Sequence, residues 1–371
     1  MRADFHRAWL RHSPGHPDSH RPAGPKGRFG AHTPGTDILQ ASVSSNGELE
    51  LIWSDQQVSR HNAQWLLDNR YGGDVFAAKR RPVALWRGES PTAHRPFSYQ
   101  GVRNDDNARL ELFEHMLDQG AILLRGAPTT ENAVLSIANW FGHVPANLYS
   151  DDPAQPQIGN VRVDPSVSVA TNMCHFLGPH TDTCWRQTLS GLVLLHCLES
   201  HPNGGRSIVV DGFAVAEQLR NENPEAFSLL ANVPLEFGSK VDDRDDWRVM
   251  GRVLSVSGDG TLEGIRYNGN SIGQLELPAD LIESTYAALE AFESILYDQS
   301  MWWQPMLQAG DVLLVDNHRV LHGREAFDPK AGKRHLQTCA VDRDDFHNTY
   351  RRLARQKKAN NASSRLAAGV I

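Results

Sequence analysis

Cysteine is scarce, with four in 371 residues: Cys174, Cys184, Cys197 and Cys339. No two form a C-x-x-C pair, which argues against a disulfide framework or a zinc ribbon and fits a reducing cytoplasm. No apolar run approaches the roughly 20 residues that cross a bilayer, so no membrane association is expected. Positive charge is not in excess. Lys+Arg number 37 against 44 Asp+Glu, and the net charge of -7 gives no global attraction to nucleic acid or anionic lipid. No internal repeat is visible. Residues 1–46 lack sustained periodicity and are rich in Pro, Gly, His, Arg and Ser. They read as a disordered extension without the charged-then-apolar plan of a secretory signal.

Beyond that extension the patterning is regular. Leu49-Glu50-Leu51-Ile52-Trp53 alternates as a strand, Asp55-Gln56 turns, and Val58 opens a second strand before a short helix over 61–69. Residues 47–96 are predicted to be a small N-terminal α+β domain, 97–356 the main domain and 357–371 a tail. In the main domain, a helix over 108–119 stops at Gly120, and residues 121–124 form a buried strand. A second helix over 130–141 takes Thr129 or Thr130 as N-cap. The polar, irregular stretch 146–173 reads as a functional lid. Strands follow over 191–198 and 207–211, then helices over 212–221 and 224–230, and a hairpin of 249–257 with 262–267 around Gly258-Asp259-Gly260. A long helix over 278–297, strands over 302–307, 312–315 and 337–342, and a closing helix over 344–355 complete the chain. The pattern is mainly β with flanking helices, a barrel or sandwich-like core.

One stretch carries chemistry. Gly178-Pro179-His180-Thr181-Asp182 puts an imidazole and a carboxylate on the same side of an extended segment, because side chains alternate with period two. Alone, His-x-Asp is a common pairing. A second histidine, His322, with Arg334 twelve residues later, makes it a candidate 2-His-1-carboxylate triad for Fe(II), which leaves coordination positions open. A 2-oxo acid such as 2-oxoglutarate would chelate there, with O2 as the remaining ligand. Its distal carboxylate needs a cation, and the fork of Arg334 suits it. Ser207 could add a hydroxyl to the same carboxylate.

From residue 48 to 355 the chain resembles the γ-butyrobetaine hydroxylase-like branch of the taurine dioxygenase (TauD/TfdA) family of Fe(II)/2-oxoglutarate oxygenases. The resemblance rests on His180-Thr181-Asp182, Gly191 with Leu194-Leu195-His196-Cys197, Gly204-Gly205-Arg206-Ser207 with Val210-Asp211-Gly212-Phe213, and Ile265-Arg266-Tyr267-Asn268. It continues through Gly310-Asp311 with Asp316-Asn317, Leu321-His322-Gly323-Arg324 and Arg334-His335-Leu336. It implies a double-stranded β-helix, or jelly roll. It further implies iron on His180, Asp182 and His322, 2-oxoglutarate on Arg334 with the backbone at Leu195, and a homodimer. Substrate-facing positions under this resemblance are Tyr149, Asn172, Tyr267, Asn268 and Asn270. The implied reaction converts 2-oxoglutarate to succinate and CO2 while oxidising a substrate C–H bond. Asp182 matters here, because related halogenases carry a small residue at its position.

Two departures shape the expectation. The family's N-terminal domain holds zinc through three cysteines and a histidine, whereas Arg70-Tyr71-Gly72-Gly73-Asp74 offers no cysteine, so no structural zinc is expected. γ-Butyrobetaine hydroxylases also hold a trimethylammonium group in an aromatic cage. Tyr149 fits one cage position, but the others fall at Pro153, at Thr171 or Asn172, and at Ala340. The expected activity is therefore hydroxylation of an aliphatic C–H in a small zwitterion: an amino acid, free or carried, a betaine analogue or an aminophosphonate. The alternative is γ-butyrobetaine or trimethyllysine hydroxylation with a rebuilt cation pocket. A zinc hydrolase on the same triad leaves Arg334 without a purpose, and a non-catalytic binding domain leaves the intact triad unexplained.

Overall fold

The computed structural model describes residues 5–13, 37–71, 81, 83–148, 150, 152–162, 174–239 and 246–357. Its contacts divide the chain into two units, Met1–Arg80 and Arg81–Ile371. No described helix is long and apolar enough to cross a membrane. All four cysteines are free thiols.

The first unit contains α1 (Arg7–His12), β1 (Ile38–Val43), β2 (Leu49–Trp53), β3 (Val58–His61) and α2 (Ala63–Asp68). The strands form an antiparallel sheet in the order β1-β2-β3. Leu51 and Trp53 share one face of β2 and bury against Leu10 of α1 and Leu66 of α2. Trp9 stacks between Phe5 and Trp65. Arg11 lies over the Trp53 ring and forks onto the Asp55 carboxylate. Disorder expected to residue 46 therefore does not hold for α1 and β1. Trp9 and Leu10 supply apolar surface that the rest of so small a unit lacks, and small cores need such staples.

In the second unit come β4 (Phe97–Ser98), α3 (Tyr99–Asn104), α4 (Asp106–Gln119), β5 (Ala121–Arg125), α5 (Ala133–Ala138), β6 (Gly159–Arg162), β7 (Leu177–His180), β8 (Leu192–Glu199) and β9 (Ser207–Asp211). They are followed by α6 (Gly212–Glu222), α7 (Pro224–Asn232), β10 (Leu235–Ser239), β11 (Trp247–Gly251), β12 (Leu254–Val256), β13 (Leu262–Ile265) and α8 (Ala279–Leu296). The last elements are β14 (Trp302–Trp303), β15 (Val312–Asp316), β16 (Val320–Arg324), β17 (His335–Val341) and α9 (Arg343–Gln356). A six-stranded sheet runs β4-β5-β15-β8-β17-β6 and a four-stranded sheet β14-β9-β16-β7. Every pairing in them is antiparallel except β4 with β5.

Period-two alternation sorts the side chains of both sheets. Leu123, Val193, Leu313, Val315 and Leu336 of the larger sheet pack against Val209, Trp303 and Val320 of the smaller one. The opposite face of the larger sheet (Ile122, Leu124, Leu194, Leu314) packs on α4, α5 and α9 through Phe113, Ile137 and Phe346. The opposite face of the smaller sheet (Ile208, Val210, Leu321) packs on α6, α7 and α8 through Phe213, Leu230 and Phe292. The result is four layers, with a side-chain-filled interior between two sheets. Residues 83–96, which the sequence pattern groups with the small domain, contribute Trp86 and Ala93 to that interior.

A buried ion pair fixes the turn before β16. Arg319 Nη2 lies 2.7 Å from Asp211 Oδ2 and Nε 3.0 Å from Oδ1. The remaining Arg319 donors reach the carbonyls of Asp118 and Ala84, each at 2.7 Å. Removing one partner of such a pair costs about 3–5 kcal/mol.

Several local expectations shift. The helix predicted over 130–141 shortens to α5, and its N-cap is Asn132 in the left-handed region (φ 66°), not Thr129 or Thr130. The predicted hairpin of 249–257 with 262–267 divides in two. Trp247–Gly251 pairs with Leu235–Ser239, and only Leu254–Val256 pairs with Leu262–Ile265. Of the expected lid, Gly159–Arg162 is strand β6, while residues 149, 151 and 163–173 lie outside the described residues.

Candidate active site

The site starts from the β7–β16 pairing, in which His322 stands opposite His180. Gly323 permits the close approach, because a Cβ there would lie 2.5 Å from the Leu177 carbonyl oxygen. His322 shares the parity of Val320 and so faces the interior. The two imidazoles are buried, with ring centroids 4.7 Å apart. Asp182 lies two residues past the end of β7 and is the more exposed member. Its Oδ1 is 3.4 Å from His180 Nε2 and 3.7 Å from His322 Nε2.

One donor atom from each of these residues lies within 4.8 Å of the others. Cis donors of a first-row ion sit on the order of 3 Å apart for bonds near 2.1 Å. The observed separations are slightly wider, so a small inward movement would complete the set. His180 Nδ1 is 2.9 Å from the Gly178 carbonyl, which can only accept, so Nδ1 carries the proton and Nε2 faces Asp182. Burial pushes the His322 imidazole down to about 4 against the pull of Asp182. Burial opposes ionisation of Asp182, but His322 and His180 outweigh it and hold its carboxyl at about 2. Burial likewise opposes the charge on His180, yet the bond to Asp182 leaves its pKa raised. One ionised carboxylate and two imidazoles form a donor set that suits Fe(II).

Further along the interior lies a cationic pair. Arg324, two residues beyond His322 on the same face, is about 7 Å away along β16. It is buried and stands opposite Ser207 in the β9–β16 register. Its Nη2 donates to the His175 carbonyl at 2.9 Å. Arg334, immediately before β17, shares the Phe327 ring with it, at 5.6 Å for Arg334 and 5.0 Å for Arg324. Burial and then the Arg324 charge pull Arg334 down to about 10, so it remains a cation at neutral pH. No carboxylate forms an ion pair with Arg334 among the described residues. Leu195, on β8 opposite Leu313 and Thr338, packs into the same interior. The structure thus brings Arg334, Ser207 and Leu195 to the intersheet space and adds Arg324. The period-two relation of Arg324 to His322 was available in the sequence. The pattern assigns no strand between 312–315 and 337–342, however, so it does not give the strand face of His322.

The expected substrate positions are more dispersed. Tyr149 and Asn172 lie outside the described residues. The Tyr267 side chain is fully buried against Phe292, and its hydroxyl donates to the Glu293 carboxylate. Burial and Glu293 both raise its pKa. Its backbone, not its ring, meets the metal strand. Thr181 N donates to the Tyr267 carbonyl at 2.7 Å, and Tyr267 N to Thr181 Oγ1 at 3.1 Å. Asn268 Oδ1 accepts from Asn270 N at 3.0 Å, so this amide closes a turn, and Asn270 is exposed.

Comparison with known proteins places the chain among described families. Residues 80–340 match the family model described as taurine catabolism dioxygenase TauD, TfdA family. The γ-butyrobetaine dioxygenase of Pseudomonas sp. (strain AK-1) is 30% identical over 317 residues, covering 83% of this chain and 79% of that protein. The mitochondrial trimethyllysine dioxygenase of Gallus gallus is 31% identical over 317 residues, covering 83% and 73%. Among solved structures, an asparagine oxygenase in complex with Fe(II), 2S,3S-3-hydroxyasparagine and succinate superposes with a TM-score of 0.51 at 18% identity, covering 66% of this chain and 83% of that one. A putative alpha-ketoglutarate-dependent taurine dioxygenase from Burkholderia xenovorans gives 0.51 at 13%, covering 71% and 91%. At such identities the two structures speak to the fold alone.

Proposed function

This chain belongs to the taurine catabolism dioxygenase TauD, TfdA family and is an Fe(II)/2-oxoglutarate-dependent dioxygenase. From that premise we propose that it hydroxylates an aliphatic C–H bond of a small zwitterionic substrate between the two sheets, which we read as a double-stranded β-helix. His180, Asp182 and His322 hold the iron. Arg334 holds the distal carboxylate of 2-oxoglutarate, with Ser207 and the backbone at Leu195 beside it. The observation that carries this reading is the convergence of three donor atoms within 4.8 Å, on the same interior as a guanidinium without a carboxylate partner among the described residues.

When bound, Fe(II), 2-oxoglutarate and O2 would supply oxidative decarboxylation to succinate and CO2, one atom of O2 entering succinate and the other the substrate C–H bond. The chain's own residues do the positioning. Asp182 and His180 present their electron pairs from one segment, and His322 presents its own from the neighbouring strand. The Arg334 fork would hold the distal carboxylate of the co-substrate through charge-assisted hydrogen bonding. Leu195, Val193, Val209 and Leu336 keep water from the space between these ends. The amine of the zwitterion is set by the segment around Tyr149 and Asn172, and its carboxylate by the turn at Asn268. The substrate is free in solution or carried on another molecule.

A second reading follows from the names of the relatives. γ-Butyrobetaine and trimethyllysine are themselves zwitterions with a quaternary cation. Pro153 is exposed and Ala340 supplies no ring, so neither contributes to an aromatic cage. Succinate release with iron, 2-oxoglutarate and O2 tests both readings against γ-butyrobetaine, trimethyllysine, free amino acids and aminophosphonates. Turnover confined to non-quaternary amines supports the first, and strong coupled turnover with γ-butyrobetaine establishes the second. Absence of succinate with every substrate, unchanged in His180→Ala, overturns the assigned site.

A further inference from the structure

Asp182 is the metal-site residue that the sheets do not place. The last residue of β7 is His180, whose opposite residue in β16 is His322, so no ladder hydrogen bond reaches Asp182. The next residue, Thr183, has φ 55°, a left-handed conformation that a β-branched residue rarely adopts. A backbone in that state persists only where its surroundings over-determine it.

Those surroundings centre on Asn317, in the turn between β15 and β16. Its side chain is fully buried. Asp182 N donates to Asn317 Oδ1 at 2.8 Å, while Asn317 Nδ2 donates to the carbonyls of Asp182 and Ser190, both at 3.0 Å. Its own backbone N donates to the Gly191 carbonyl at 2.9 Å. The amide orientation is unambiguous, because the reverse would set an NH2 against an N–H and an oxygen against two carbonyls. Thr183 is tied to the same segment. Ser190 N donates to Thr183 Oγ1 at 2.8 Å, and the two hydroxyls lie 3.0 Å apart.

We propose that Asn317 is the positioning residue of the metal site, clamping both peptide groups of Asp182 so that its carboxylate meets His180 and His322. This rests on the assignment of those three residues to iron. The clamp also links two ligands: Asn317 sits five residues before His322, in the turn that leads into its strand. A shift of β16 therefore carries the carboxylate with the imidazole, and the spacing of the trio is conserved. Thr183 and Ser190 close the far side of the same clamp.

The test is metal affinity, read without turnover. Mn(II) binding is titrated by electron paramagnetic resonance, and the visible absorption band of the Fe(II)–2-oxoglutarate chelate is recorded anaerobically. The proteins are the full chain, Asn317→Asp, Thr183→Gly and His180→Ala. Asn317→Asp keeps the shape and the acceptor but loses both donations. It is expected to bind Mn(II) about 10- to 100-fold more weakly, the range for residues that orient metal ligands. Its chelate band should shift, which a purely structural role would not cause. Thr183→Gly relieves the left-handed residue but frees the segment, and is expected to bind more weakly by a smaller factor with circular dichroism unchanged. Should Asn317→Asp fail to fold, Thr183→Gly decides. Wild-type affinity and band position in the folded variants overturn the proposal. Failure of the wild type itself to bind metal, or equal binding by His180→Ala, overturns the site assignment and this proposal with it.

Discussion

His180, Asp182 and His322 bring one carboxylate and two imidazoles to one end of the interior. Arg324 and Arg334 bring two fixed positive charges to the other, around Phe327. The first end gathers electron pairs and the second gathers donors. Each is costly by itself, since like-charged or lone-pair-bearing groups crowd together away from water. Each becomes favourable when its complement arrives, a cation at one end and a dicarboxylate at the other. The difference teaches that the first end is specified by geometry, with strand register and a buried amide, whereas the second is specified by buried positive charge, with no carboxylate paired to Arg334 among the described residues.

The sharpest way to break the comparison is to empty the metal end. Asp182→Ala or His322→Ala leaves two donors. Metal affinity should fall well beyond the 10- to 100-fold cost of outer positions, with 2-oxoglutarate turnover lost and the fold retained. Equilibrium dialysis with Fe(II) or Mn(II) checks it. Emptying the other end comes next. Arg334→Ala should raise the 2-oxoglutarate KM by about 30-fold or more, corresponding to about 2–5 kcal/mol, while metal binding without co-substrate stays as in the wild type. If both variants lost both properties, the two ends would not be separable.

Acid should distinguish the ends more gently. Burial holds His94, His196 and His318 down to about 4 and His347 to about 3, and each is neutral in the folded protein at pH 6. The unfolded chain protonates them near 6.5, so as pH falls below that value the unfolded state binds more protons and stability drops. Between pH 7 and 6 the loss is roughly 0.7 kcal/mol for each group, read from urea midpoints. The guanidinium end does not titrate there, so the 2-oxoglutarate KM of folded protein should be flat over that interval. The smallest effect is expected at the substrate turn. Asn268→Asp keeps the acceptor for Asn270 N and hence stability. The loss of its NH2 should raise the substrate KM about fivefold, the worth of one hydrogen bond of about 1 kcal/mol.

The sequence pointed to His180, Asp182 and His322 because the first two are neighbours and the third stands in a specific motif, and their donor atoms lie within 4.8 Å of one another. It carried β16 poorly. Leu321-His322-Gly323-Arg324 contains a glycine and two polar residues and does not alternate as a half-exposed strand, since all five residues of β16 are buried. The same burial hides the interior face of Arg324 from the pattern. Strand β10 follows α7 after only Val233-Pro234, and its partner lies beyond a polar stretch, so nearest-neighbour pairing favoured the wrong hairpin. Helix α1 was hidden in a Pro- and Gly-rich context, and only its packing on Trp53 and Trp65 shows why it forms. Asn317 looked like an ordinary turn residue. Its significance depends on Asp182 and Ser190, more than a hundred positions away in the chain.

The order of strands in the larger sheet has a consequence for synthesis. Strand β8, near residue 195, is flanked by β15 and β17, so both of its neighbours are made more than a hundred residues after it. His322, on β16, and Arg334, immediately before β17, are made in the same late stretch. A nascent chain that has already displayed His180 and Asp182 has neither the third of the clustered donors nor the buried Arg334 guanidinium. Such long-range pairing is slow and comes late. An oxygen-activating centre is thereby withheld from the ribosome-bound chain, and it comes into being only when the walls that contain it are complete.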